Sequence, residues 1–196
     1  MKTIILIIFM FLTCFAKAPF GLAWNSSIQD IKSNGIELTA QEVDIPGFKV
    51  YLTTSLPKNH SDADHYVLMF YKDTLVKILM ISKTVSDDPF GLKGIEKYKE
   101  YTQLMLSVGY TEHRTFENIG RLLYKEPYEF YNCLNYPGCG EYISFFESGG
   151  GEKSSVKIKP EGRSSGLILI TFEGPDCENA FKRVKEEQDK INESSF

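Results

Sequence analysis

The densest group of side chains able to do chemistry is Asn59-His60-Ser61-Asp62-Ala63-Asp64-His65. Imidazole and carboxylate both suit a divalent cation such as zinc, so His60, Asp62, Asp64 and His65 are the residues that would ligate one. Their spacing follows no zinc signature, and the segment runs straight into an apolar stretch. A solvated loop of turn formers is the expectation, with no metal and no other cofactor. Ser148-Gly149-Gly150-Gly151-Glu152-Lys153-Ser154 has the glycines of a phosphate loop but not its Gly-Lys-Ser/Thr ending. It falls between two expected strands instead of before a helix, and reads as a hairpin connection. No His-Glu-x-x-His pair and no Gly-x-Ser-x-Gly elbow is read. Cys139 or Cys177 with His113 would make a nucleophile pair, but a structural role suits each cysteine better. Carboxylate pairs for glycoside hydrolysis depend on spacing in three dimensions, which selects no two residues here.

The most distinctive stretch is Tyr124 to Phe146, with Tyr124, Tyr128, Phe130, Tyr131, Tyr136, Tyr142, Phe145 and Phe146. Inside it, Cys133 and Cys139 flank Leu-Asn-Tyr-Pro-Gly, where Pro-Gly supplies a turn able to bring them together. A Cys133–Cys139 disulfide is expected. It would pin a loop, adding about 2 kcal/mol in the chain-entropy model. Aromatic residues on a pinned loop make good anchors for a protein or glycan. Most of these rings are expected in the core, with Tyr136 and Tyr131 as the partner-binding residues and Tyr136 exposed at the Pro-Gly tip.

The elements that must hold these residues follow from composition and pattern. The chain has 196 residues, 42% hydrophobic and 24% charged, which is a globular composition. Its net charge of −4 comes with no run of Lys or Arg, so nucleic acid and anionic membrane surfaces are not expected partners. Lys2, the apolar Thr3–Phe15 and a small-x-small site ending at Ala16 or Ala18 read as a signal peptide. Pro19 impedes the second site, so residues 1–16 are expected to be removed, leaving residues 17–196 and no transmembrane helix. Export to the periplasm or outside the cell follows, with lipid attachment at Cys14 as the alternative.

Tyr66–Tyr71 and Thr74–Ile81 form an apolar pair joined at Lys72-Asp73. Their apolar residues fall on both alternating sets, which implies a strand pair covered on both faces. Further strands are expected at 36–43, 47–54, 111–116, 121–125, 128–132, 142–147, 155–159 and 167–173. Helices are expected after Ser27, after Asp88-Pro89 and after Pro175-Asp176, the last burying Cys177 as a free thiol. The fold class is α+β: a mostly antiparallel meander sheet packed by about three helices. Three helices are few for such a sheet, so either it curls strongly until its halves cover each other, the favoured case, or an apolar face is left for a partner. Pro19-Phe20-Gly21-Leu22 recurs as Pro89-Phe90-Gly91-Leu92. A finer division into helix-plus-meander half-repeats, 19–88 and 89–196, follows from it.

The opening Phe20-Gly21-Leu22-Ala23-Trp24-Asn25-x-Ser27-x-x-Asp30 resembles the entry segment of small exported bacterial α+β domains of uncharacterised role. It departs from their pattern at Asn25, where they usually carry Gly. The resemblance implies a bacterial envelope protein with a helix packed on a meander, and no catalytic residues. The function expected is a non-enzymatic binding or interaction protein, of which an inhibitor or immunity protein is one form. The alternative is a small hydrolase of the cell wall or of a secreted substrate.

Overall fold

The computed structural model describes residues 17–120 and 123–193. The expected signal peptide and the Cys14 attachment site lie outside them. Within the described residues no helix is long and apolar enough to cross a membrane.

Ser27 starts helix α1 (Ile28–Ser33) through a complete capping box. Its hydroxyl accepts from the Asp30 amide at 3.1 Å, and its own amide donates to the Asp30 carboxylate at 2.9 Å. Four strands follow: β1 (Thr39–Gln41), β2 (Phe48–Thr53), β3 (Ala63–Tyr71) and β4 (Thr74–Ser82). Helix α2 (Leu92–Ser107) leads to β5 (Thr111–Asn118), and a 3-10 turn at Pro127–Glu129 leads to α3 (Phe130–Asn135). Strands β6 (Glu141–Glu147), β7 (Lys153–Pro160) and β8 (Gly166–Glu173) and helix α4 (Cys177–Glu193) complete the order.

Among the described residues the eight strands lie in one antiparallel sheet, ordered β1-β2-β3-β4-β8-β7-β6-β5 and not closed into a barrel. This is the α+β meander expected. Each set of four consecutive strands is a meander preceded by a helix, and the last strands of the two sets, β4 and β8, pair with each other. A helix-plus-meander duplication would give this topology. The two Pro-Phe-Gly-Leu segments are used differently, however. The Phe20 ring packs against Tyr66 and Phe172, at centroid distances of 4.9 and 5.6 Å, whereas Phe90 is exposed.

The β3–β4 hairpin turns at Lys72 and Asp73, whose φ angles of 46° and 68° are those of a type I′ turn matched to strand twist. Tyr66, Leu68 and Phe70 point to the inner face together with Ile78, Met80, Ile168, Ile170 and Phe172, and Trp24, α1, α2 and α3 cover them. Each of these side chains contributes about 1.5–3 kcal/mol by leaving water. On the outer face Tyr71 and Val76 pack with Phe48 under Cys177 and Ala180 of α4. Val67, Leu79, Ile81 and Leu169 on that face are only partly buried. Both faces of the hairpin are therefore covered where α4 lies, and less so beyond it.

Four expectations of secondary structure need correction. The strand expected over 36–43 shrinks to Thr39–Gln41. No strand forms at 123–125, and residues 128–132 are a 3-10 turn and a helix, because Pro127 and a Glu126/Glu129 capping box start a helical turn. Helix α2 begins at Leu92, with Gly91 rather than Asp88 at the N-cap. Asp88 still satisfies the free amides of the first turn, since its carboxylate accepts from Lys93 N at 3.2 Å and Gly94 N at 2.9 Å.

Asp88 is buried and takes a third hydrogen bond from the Tyr131 hydroxyl at 2.9 Å. Tyr131 lies so close to α2 that a Cβ on Gly94 would come within 2.4 Å of its hydroxyl oxygen. Gly94→Ala is expected to destabilise the fold by about 1–3 kcal/mol through overpacking. Tyr131→Phe should cost about 1–3 kcal/mol by depriving a buried carboxylate of a donor. Gly150→Ala, where only a serine hydroxyl 3.7 Å away is near, should change stability by about 0.5 kcal/mol or less. Urea denaturation of the three variants checks the ranking.

Candidate functional site

The segment from the end of β5 to the start of β6 is built on the disulfide. Cys133 and Cys139 are bonded, with their Cα atoms 5.1 Å apart. Cys133 is on the buried side of α3, with Phe130 and Tyr131, and Cys139 follows the Pro137-Gly138 turn. The strand leaving β5 lies directly on this bridge: the Gly120 amide donates to Cys133 Sγ at 2.9 Å. A Cβ on Gly120 would meet the Cys139 carbonyl oxygen at 2.0 Å, so only glycine fits. The bridge thus joins the helix, the turn and the strand end into one platform.

The outer side of the platform is apolar and aromatic. Tyr128 is 55% exposed, Tyr136 48% and Leu123 48%, and Ile119 and Tyr124 in the same segment are exposed as well. Tyr124 meets Tyr136 edge-on with ring centroids 6.0 Å apart. Tyr136 is exposed, as its place at the turn suggested. Tyr131, the other expected partner-binding residue, has no exposed surface. Its ring is sealed between α2 and Gly166, and its hydroxyl is spent on Asp88, so it holds the platform and cannot touch a partner. Residues 128–132 form a 3-10 turn and a helix instead of the expected strand, with Tyr131 buried and Tyr128 exposed.

Beneath Tyr136 is a cavity of about 290 Å³ between the Pro137-Gly138 turn and the ends of β5, β6 and β7. Asn118, Glu141, Tyr142 and Lys157 line it. Glu141 and Lys157 face each other at 3.8 Å, both close to half exposed. Sequence reasoning included Tyr142 among the aromatic residues but not the other three. They come from three different strands, and no local pattern unites them.

The four residues considered as metal ligands divide into two pairs. Asp62 turns toward α2, accepting from Tyr101 OH at 2.7 Å and from Lys97 Nζ at 2.8 Å, with His60 against the Tyr101 ring. Burial and the Asp62 charge hold the Tyr101 phenol well above its ordinary pKa. Asp64 and His65 pair with each other at 2.7 Å at the start of β3. Among the described residues no group of three or more His, Cys, Asp or Glu could hold a metal ion. The glycine-rich Ser148–Ser154 stretch is the β6–β7 turn, and it carries Glu152 down to the Trp24 indole N–H and, at 3.3 Å, the Tyr110 hydroxyl.

Gly162-Arg163-Ser164-Ser165-Gly166 has the spacing of a nucleophile elbow that the sequence reading passed over. It is the turn between two antiparallel strands, β7 and β8, and the Ser164 carbonyl accepts from the Asp88 amide at 2.9 Å. An elbow needs a strand entering a helix. Neither cysteine–histidine combination has a usable thiol, in line with the structural roles expected of the cysteines: Cys139 is in the disulfide, and Cys177 is free but buried under α4. Comparison with protein-family models, with curated proteins and with solved structures found no match to the chain.

Burial pushes the Cys177 thiol up to about 11, so almost none is thiolate near neutrality, the form that attacks disulfide reagents. A disulfide-exchange reagent at pH 8 should therefore find no reactive thiol in the folded protein. After unfolding in urea without reductant it should find one among Cys133, Cys139 and Cys177. Absorbance of the released thiolate measures both.

Proposed function

We propose that the chain is an exported, non-enzymatic binding protein of the bacterial envelope, recognising its partner through the aromatic platform of Ile119 to Gly140. The observation that carries this reading is the concentration of exposed rings, Tyr124, Tyr128 and Tyr136, on a segment fixed by the Cys133–Cys139 bridge. Rigid aromatic side chains offer large contact area at little conformational cost, and fixing the backbone beforehand lowers the entropy lost on binding. Export is supported by the charged and apolar character of residues 1–16 and by a disulfide, a bond that persists in oxidising compartments. A protein or a cell-wall glycan is the partner class. Inhibition of an envelope-acting enzyme or toxin is one form this binding takes.

The hydrolase alternative has no specific observation in its favour. Glu147 and Glu173 share an open cleft with His113, but they flank Lys153 in the strand order, and Glu173 is held by Lys77 at 2.7 Å.

Mass spectrometry of the protein expressed from its full coding sequence should show a mature chain beginning at Lys17. Retention of residues 1–16, or a diacylated Cys14, would overturn the cleavage reading. In binding, the wild-type chain incubated with envelope extract and with isolated cell walls should be retained by one of the two, with amide-exchange protection confined to 119–140. The paired substitution Tyr128→Ala, Tyr136→Ala should weaken retention about a hundredfold, as two interface anchors of roughly 1–2 kcal/mol each would. Equal retention of the double variant, or protection elsewhere on the sheet, counts against the platform.

A further inference from the structure

We propose that the cavity beneath Tyr136 is a sugar subsite that takes one N-acetylated hexosamine residue of a glycan chain. The inference rests on the binding reading above and gives its ligand a chemical class. At about 290 Å³ the cavity lies just below the range that drug-sized ligands occupy, about 300–1,000 Å³. That is room for a single ring, not for a nucleotide.

The wall chemistry selects the ring. The Asn118 amide, the Tyr142 hydroxyl and the Tyr136 hydroxyl take no hydrogen bond from the other described residues. Glu141 and Lys157, at 3.8 Å, are too far apart for a strong mutual hydrogen bond, so both keep capacity for a ligand. The set holds donors and acceptors together, and its two formal charges cancel. A phosphate or a carboxylate ligand would need an excess of positive charge, and a cation an excess of carboxylate. Hydroxyl groups, each able to donate and accept, match a set that is mixed and neutral.

Two further features narrow the class. Leu134 and Pro137 bring apolar groups to the same cavity, which suits a methyl group such as that of an acetamido substituent. Tyr136 lines the cavity and is about half exposed, its ring braced edge-on by Tyr124, and it presents an apolar face with a polar tip. A pyranose has one face of C–H bonds and a rim of hydroxyls, the complement of such a ring. The disulfide holds this arrangement in place before any ligand arrives.

The test is titration of the mature chain with N,N′-diacetylchitobiose, with cellobiose as the same linkage lacking acetamido groups, and with an extended alanine-rich peptide. Two-dimensional NMR reads the shifts of each backbone amide. The expected result is saturable binding of diacetylchitobiose with shifts at Asn118 and 134–142. Cellobiose should bind at least about fivefold more weakly, a difference of roughly one buried methyl group. Asn118→Ala and Tyr136→Ala should each weaken binding about tenfold, while Gln103→Ala, on the exposed side of α2 and outside the cavity, leaves it unchanged. Tyr136→Phe keeps the ring and should retain most of the affinity, which separates stacking from any loss of fold; melting curves of all four variants accompany the titrations. No shift at about 10 mM sugar, a Kd weaker than anything useful, or shifts that Asn118→Ala leaves intact, would overturn the subsite. Saturable binding of the peptide in place of the sugar would overturn it in favour of a protein partner. If the sugars fail but retention by envelope material still depends on Tyr128 and Tyr136, only the ligand class falls; if that retention fails too, the binding reading falls with it.

Discussion

A carboxylate placed inside a protein loses its hydration, and it is tolerated only when enough donors converge on it. Asp88 is such a group, and its three donors come from two places: the first-turn amides of α2 and the hydroxyl of Tyr131 on α3. The positive end of the α2 dipole adds to the compensation. The Asp88 main chain is tied as well, its amide donating to Ser164 in the β7–β8 turn. One residue therefore fixes the start of the longest inner-face helix, the orientation of α3 and the turn of a hairpin. Everything outward of α3 inherits that position. Cys133 is two residues beyond Tyr131 in the same short helix and is also buried, so the disulfide, the Gly120 crossing and the aromatic platform are placed by a hydrogen bond they do not themselves touch.

A second set of interactions makes one sheet of two meanders. The β4–β8 pairing brings Met80 opposite Ile170 and Ile78 opposite Phe172 on the inner face, and Lys77 opposite Glu173 on the outer. The outer row continues as Glu147, Lys153, Glu173 and Lys77 across four adjacent strands, so charge alternates from strand to strand. Opposite charges directly across a strand pair stabilise modestly, and like charges would repel. The Trp24 indole, bonded to Glu152 in the β6–β7 turn, ties the entry segment of the first half to the far end of the second.

Some of this was legible in the sequence and some was not, for reasons that differ by element. The β3–β4 hairpin and β8 were readable because apolar residues on both alternating sets leave few alternatives to a covered strand. Ser27 with Asp30 announced α1, and Pro137-Gly138 announced the bridge, since both signals act over a few residues. Tyr128–Asn132 misled because spaced aromatic residues fit a strand as well as one side of a helix; the cue that decided it was Pro127 after Glu126. Tyr131 was misplaced for the same reason. Its true partner, Asp88, is 43 residues away and left no local trace. The cavity under Tyr136 was invisible because Asn118, Glu141 and Lys157 become neighbours only once β5, β6 and β7 are side by side.

The buried Cys177 bears on how the chain reaches this arrangement. The three thiols of the described residues can form three pairs, and only one of those pairs is native. Cys133 and Cys139 are separated by six residues, whereas Cys177 is about forty residues from either. Loop-closure entropy alone favours the near encounter by about tenfold or more. Docking of α4 then seals the remaining sulfur beneath Phe48, Tyr71 and Val76. The helix thus acts as a stopper as well as packing: the longer it stays undocked in an oxidising compartment, the longer the chain is exposed to a wrong crosslink.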